Sequence, residues 1–325
     1  MTPAPLTIAI HTFGQDARDD LIADVRAGLT ATPKSLPPRW FYDQRGSELF
    51  EAITRLPEYC LTRTEAAILE WAAPDVVSAV RPEALVELGA GSSEKTRRLI
   101  EAGRRSGLAW FLPFDISEDF LQRAARQVAA EFPGLNVYAV VGDFADHLDR
   151  VPRHGRQLIA FLGSTIGNFD QAERLAFLAG VRRLLEPGDA FLLGIDLVKP
   201  EAQLVAAYDD AEGVTAEFNR NLLHVLNREL GADFDAGGFE HLALFDRDRS
   251  RIEMHLRSRR RQRVRIPAAG LAVDFERGER LLTEISVKFT REGIERDLGE
   301  SGMRIARWYT DPAERFALCL CRAAA

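Results

Sequence analysis

The chain has 325 residues, 46% hydrophobic and 28% charged, an ordinary globular mixture that excludes a disordered or low-complexity protein. At roughly 150 residues per domain, that length suggests about two domains, or one enlarged α/β domain with insertions. Acids number 49 against 42 Lys plus Arg, a formal charge of −7, which argues against a protein held to nucleic acid or anionic lipid by its overall field.

Apolar residues at helical spacing (Leu21, Ile22, Val25, Leu29) predict a helix over 16–31, ended by the proline stretch Pro33 to Pro38. Thr62 followed by Glu65 has capping-box spacing, so a helix is expected from Thr62 through Ile68 and Trp71. Strand and helix then alternate: strands at 84–88, 108–114, 135–141, 157–162 and 190–197, and helices at 94–104, 118–132 and 171–185. That rhythm implies right-handed crossovers and a parallel sheet covered on both faces. After Pro200 it changes. Residues 201–229 read as one helix, and 241–245, 251–256 and 263–266 as antiparallel strands. Residues 281–289 form a further strand with Leu282, Glu284, Ser286 and Lys288 on one face. A helix (291–301) and two strands (303–309, 316–322) close the chain. The N-terminal segment is expected beside this insertion, giving a division into 1–62 plus 199–288 and 63–198 plus 289–325.

Three cysteines cannot build a disulfide framework, and Cys319 and Cys321 share one face of an apolar strand, so buried thiols are expected. The six histidines show no zinc-ligand spacing, and no metal is expected. The opening residues lack a basic, apolar leader pattern, and no 18-residue apolar span occurs. A cytoplasmic, non-membrane protein is expected.

The turn Val86-Glu87-Leu88-Gly89-Ala90-Gly91-Ser92-Ser93-Glu94-Lys95-Thr96 follows a strand and precedes a helix, the context of a nucleotide-type ligand. Glu94 replaces the third glycine of a dinucleotide fingerprint, which weighs against NAD and FAD, and no GK[ST] follows. The second strand ends in Asp115, 24 residues after Gly91, able to accept both ribose hydroxyls. The third is followed by Gly142-Asp143-Phe144: a carboxylate for an adenine amine beside an aromatic face. Acids at three successive strand ends form the pattern of a Rossmann-like S-adenosylmethionine (SAM) methyltransferase. Strand four leads into Gly163-Ser164-Thr165-Ile166-Gly167-Asn168-Phe169, which sets Asn168 near the methyl donor. The [DN]-P-P-[YF] motif of base methylation is absent. The arginines between 257 and 265 lack interleaved aromatics, so no nucleic acid is expected.

Four stretches resemble the L-histidine Nα-methyltransferases of ergothioneine biosynthesis: KSLPPRWFYDQRGSELFEAITRLPEY (34–59), VELGAGSSEKTR (86–97), FLGSTIGNF (161–169) and LLTEISVKF (281–289). GDF (142–144), DLVK (196–199), YDDAEGVTAEFNRNLL (208–223) and RIEMHLRS (251–258) also look alike, so the likeness spans nearly the whole chain. The resemblance implies a class I α/β SAM methyltransferase with a second, α+β substrate-binding domain. It implies trimethylation of the histidine α-amine to hercynine, with SAM as methyl donor, no metal, and a monomer. Gly89, Lys95, Asp115, Asp143 and Phe144 would hold SAM, with Tyr42 lining the same cleft and counted with Asn168 as catalytic. Tyr59, Asn168, Tyr208, Glu284 and Ser286 would hold the substrate, with Met254 beside the imidazole. The family loop commonly reads P-E-Y-Y-P-T-R, whereas this chain has Pro57-Glu58-Tyr59-Cys60-Leu61-Thr62-Arg63. It keeps the first tyrosine and loses a proline and an aromatic.

The residue types suit that chemistry. Tyr59 and Tyr208 hydroxyls can hold the substrate carboxylate. Glu284 and Ser286, two apart in a strand, can serve the two imidazole nitrogens, which favours histidine over an indole that has one. The same reaction on another aromatic amino acid or small amine is the alternative. A non-catalytic SAM-binding module is the reading from a different class, and residues for both ligands argue against it.

Overall fold

The computed structural model describes residues 6–10, 16–143 and 147–324, with side chains described from residue 17 onward. The chain divides into two compact units. One comprises Met1–Thr12, Leu61–Val198 and Lys288–Ala325, the other Phe13–Cys60 and Lys199–Val287.

The first unit is an eight-stranded sheet. Its strands are β1 (Leu6–Ile10), β3 (Ala84–Leu88), β4 (Trp110–Asp115), β5 (Asn136–Val141), β6 (Gln157–Phe161), β7 (Ala190–Asp196), β13 (Met303–Thr310) and β14 (Phe316–Ala323). Their order is β1-β5-β4-β3-β6-β7-β14-β13. The strands from β1 to β7 pair in parallel, and β14 lies antiparallel to β7 and to β13. β3, β6 and β7 are buried at every position, as expected of strands covered on both faces. Among the described residues, this unit's helices include α3 (Leu61–Val80), α4 (Arg97–Arg104), α5 (Glu118–Glu131), α6 (Gln171–Leu184) and α9 (Arg291–Glu300). Strand order turns back at β3, so the loops after β3, β4, β5 and β6 meet at the carboxyl edge, where such sheets bind ligands.

The second unit holds α1 (Asp16–Thr30), β2 (Lys34–Ser35), α2 (Gln44–Ile53), α7 (Glu201–Ala206), α8 (Val214–Leu230), β8 (Phe239–Asp246), β9 (Arg251–Ser258), β10 (Gln262–Ile266), β11 (Leu271–Phe275) and β12 (Arg280–Val287). β2-β12-β9-β8 form one sheet, and β10-β11 a separate hairpin. Phe41 and Phe218 rings pack tilted with centroids 4.6 Å apart, and Asn221 Nδ2 donates to Asp43 Oδ1 at 2.8 Å, so the N-terminal segment packs on α8.

The structure departs from the sequence expectations in particular places. Residues 6–10 form a strand beside β5, so this segment groups with the first unit and not with 13–60 as the 1–62 boundary had it. The helix expected over 201–229 is two helices. Asp210 accepts the N–H groups of Val214 and Thr215, and Gly213 at φ +74° breaks the continuity. α4 starts at Arg97 and not Glu94. α3 starts at Leu61, and the Glu65 carboxylate is turned inward and not back to Thr62, so no capping box forms there. β2 and β11 were not anticipated, and Lys288 and Phe289 lie beyond the end of β12.

Candidate active site

The carboxyl edge of the first sheet collects four of the five expected SAM residues, Gly89, Lys95, Asp115 and Asp143. Phe144 lies outside the described residues. The Gly89 to Gly91 turn is laced to the end of β4: Ala90 N–H donates to Phe114 O at 3.1 Å, and Gly91 N–H to Asp115 Oδ2 at 2.9 Å. Gly89 and Gly91 sit at φ +66° and +49°, the left-handed region a side chain disfavours. Asp115 Oδ1 accepts the Ser117 N–H at 2.9 Å. Burial raises the Asp115 carboxyl above its ordinary range, and the hydrogen bonds from Ser117 and Gly91 oppose that rise. Gly142 N–H donates to Asp115 O at 2.9 Å, tying the β5 end, and hence Asp143, to the β4 end. A Cβ on Gly142 would press 2.7 Å from the Phe114 ring, which is why glycine precedes Asp143.

Glu87, one residue before the end of β3, is 3% exposed and accepts a hydrogen bond from Thr96 Oγ1. Burial pushes its carboxyl up to about 7, against the Thr96 bond and the Lys95 charge. The donor set suits SAM: paired carboxylates for a diol and an amine, an ammonium for a carboxylate, and glycines that let the backbone come close.

Asn168 ends the short helix Thr165–Asn168 after β6, half-buried. Its approach is constrained at both sides. Gly163 and Ser164 are successive left-handed residues at φ +77° and +59°. Ser164 Oγ accepts the Asp196 N–H at 2.8 Å, and the buried Asp196 pairs with the buried Lys288 at 3.0 Å. On the far side Asp170 and Glu173 form the capping box of α6.

The second unit holds the other residues expected to bind the amino acid, Asn168 being in the first. Tyr59 and Tyr208 are 7% and 6% exposed, with rings 6.1 Å apart. Tyr208 Oη donates to Ser286 Oγ at 2.8 Å. Glu284 pairs with Met254 and Ser286 with Ile252 across β12 and β9, so all four project from one sheet face. Tyr42 packs edge-on to Phe50 and Phe218 at 5.8 and 5.7 Å, and Phe50 edge-on to Tyr59 at 6.4 Å.

A buried polar network backs that face. Asn219, fully buried on α8, donates to His241 Nδ1 at 2.9 Å and to His255 O at 3.1 Å. Its Oδ1 accepts from Thr283 Oγ1 at 2.7 Å. Thr283 occupies the register shift between Leu282 and Glu284. His241 Nε2 lies 2.7 Å from Tyr208 O, which can only accept, so Nδ1 is the acceptor for Asn219. Burial lowers the His241 pKa and keeps the ring neutral.

Sequence reasoning gave Asn219 and His241 no site role and read Glu65 only as a helix cap. The available signal was a charged or amide residue on an apolar helix stripe: Glu65 lies among Leu61, Ile68 and Leu69, and Asn219 among Leu222 and Leu223.

Strand order, glycine turn and strand-end carboxylates together define a class I SAM-dependent methyltransferase of the Rossmann-like α/β type. Residues 21–323 match the family model described as histidine-specific, SAM-dependent methyltransferase. The chain is 52% identical over 316 residues to the histidine N-alpha-methyltransferase of Mycolicibacterium smegmatis, covering 97% of this chain and 98% of that one. It is 51% identical to the enzyme of the same name from Mycobacterium tuberculosis, over 97% and 98% of the two chains. It is 30% identical to ergothioneine biosynthesis protein 1 of Neurospora crassa, over 85% of this chain and 32% of that longer one. The chain belongs to the histidine-specific SAM-dependent methyltransferase family.

Proposed function

We infer that this chain transfers methyl groups from SAM to the α-amino nitrogen of L-histidine, three in succession, to give hercynine for ergothioneine biosynthesis. The observation that carries the reading is the 52% identity, end to end, with a histidine N-alpha-methyltransferase. SAM supplies a methyl carbon already activated by its sulfonium. What remains for the protein is to place a neutral amine about 3 Å from that carbon and in line with the breaking bond.

In this reading Gly89, Lys95, Asp115, Asp143 and Phe144 hold SAM, and Tyr42 lines its place. Asn168 orients the amine. As a neutral acceptor it does so without favouring the ammonium, which a carboxylate in its place would stabilise. Tyr59 and Tyr208 hold the substrate carboxylate. Glu284 accepts from one imidazole N–H, Ser286 serves the other nitrogen, and Met254 packs against the ring. The 2.8 Å between Tyr208 Oη and Ser286 Oγ supports their sharing one site; with the amino acid bound, the single Tyr208 O–H would turn from Ser286 to the carboxylate. The second unit acts as the substrate-binding domain, and the enzyme works as a cytoplasmic monomer. The acidic balance and the three free cysteines support that setting.

The test is a turnover assay with SAM across the twenty amino acids, read by mass spectrometry. Histidine alone should acquire one, two and three methyl groups. Preferential methylation of tryptophan or tyrosine, or of no amino acid, would overturn the reading.

A further inference from the structure

A fully buried acid at the carboxyl edge of the first sheet, Glu65, has no part in the reading above. Glu65 lies in the first turns of α3 with its side chain fully buried. Both of its oxygens accept the Gly163 N–H, at 2.8 and 2.9 Å, and Oε2 also pairs with Lys95 Nζ. Its place is cut into the sheet. A Cβ on Gly194 of β7 would overlap Glu65 Oε1, so that strand carries glycine where the carboxylate sits. Gly163 itself is left-handed and lies close to Lys95, a Cβ there falling 3.4 Å from Nζ.

Three elements therefore meet on one carboxylate: α3, the turn after β3 that carries Lys95, and the turn after β6 that leads to Asn168. Burying an ionised carboxylate is costly unless charge and hydrogen bonds compensate it. Here one ammonium and one backbone N–H do so, and both belong to ligand-facing turns. The Gly163–Ser164 turn also holds a non-glycine residue in a strained left-handed state, which persists only where its surroundings over-determine it.

We propose that Glu65 is a positioning residue that fixes Lys95 for the methyl donor and the Gly163–Asn168 turn for the amine, setting the two against each other. It touches neither substrate and acts through both turns. The proposal rests on the roles given above to Lys95 and Asn168.

Glu65→Gln keeps one acceptor for Gly163 and removes the charge that holds Lys95. SAM alone, titrated calorimetrically, should bind about tenfold or more weakly, and kcat at saturating SAM and histidine should fall by at least as much. The KM for histidine and the melting temperature should stay near those of the parent. In a Lys95→Met background, Glu65→Gln should cost no further SAM affinity while still lowering kcat. Gly194→Ala, which displaces the carboxylate without altering its charge, should reproduce both losses. SAM affinity and kcat within twofold of the parent in Glu65→Gln would overturn the proposal. So would losses that merely follow a lowered folded fraction, or SAM losses that add in the Lys95→Met background. If the parent chain binds SAM but leaves histidine unmethylated, the functional reading fails while the calorimetric arm still judges Glu65.

Discussion

Glu284 and Ser286 share a strand face with Met254, and the pairing register that places them there was partly foreseeable from period-two alternation. Glu284→Ala should weaken histidine binding by about tenfold or more, because the buried imidazole N–H loses its acceptor. Calorimetry that finds unchanged affinity would remove Glu284 from the imidazole. Asn168→Asp should lower kcat by about tenfold or more at neutral pH, since a carboxylate there favours the unreactive ammonium. Steady-state rates at saturating substrates check it. At Glu87 the consequence is one of stability. Its folded pKa is raised from 4.5 to about 7, so between those values the folded chain keeps a proton the unfolded chain releases. That contribution is fully present below pH 4.5 and is lost as pH rises through 7. Glu87→Gln does not titrate and still offers Thr96 an acceptor. In ligand-free protein it should therefore out-stabilise the parent at pH 8 by on the order of 3 kcal/mol, with a much smaller gap at pH 5. Thermal melts at the two pH values decide; an equal gap at both would contradict the account.

At the scale of elements, Asn219 binds α8 to three strands: β8 through His241, β9 through the His255 carbonyl, and β12 through Thr283 at its register shift. Asn219→Leu removes the donor to His241 Nδ1 and to the His255 carbonyl, while Thr283 Oγ1 keeps Met254 O. It should cost about 2–4 kcal/mol of stability and raise the KM for histidine. SAM binding by calorimetry should stay unchanged, and a parallel loss of SAM affinity would deny the network its local role. Element types in the α/β half were legible because buried parallel strands read as short apolar runs and their helices as periodic ones. What escaped was set by contacts distant in sequence. Leu6–Ile10 is a strand because β5 offers it an open edge, and Thr62 and Glu65 have capping-box spacing although Gly163 and Lys95 claim the carboxylate. The break between α7 and α8 was legible in principle, since Asp210 and Gly213 are turn chemistry inside an otherwise helical run.

Across the whole molecule, the described site residues fall into two groups that only partly follow the expected sets: Asn168, expected for the amino acid, is in the first unit, and Tyr42, expected beside SAM, is in the second. Gly89, Lys95, Asp115, Asp143 and Asn168 lie at the carboxyl edge of the first sheet, and Tyr42, Tyr59, Tyr208, Met254, Glu284 and Ser286 in the second unit. The glycine turn and the strand-end acids were readable from physics, and Lys95 rested on family likeness. The second set rested on family likeness, because nothing in YDDAEG or LLTEISVKF by itself distinguishes a ligand-facing strand from a solvated one. Everything turns on which atom of histidine is methylated. Incubating the protein with L-histidine and SAM carrying a ¹³C-labelled methyl group, then recording the product's NMR spectrum, tests it directly. The account predicts label on the α-nitrogen, ending as three equivalent methyl groups with the imidazole untouched; label on a ring nitrogen, or none on histidine, would contradict it.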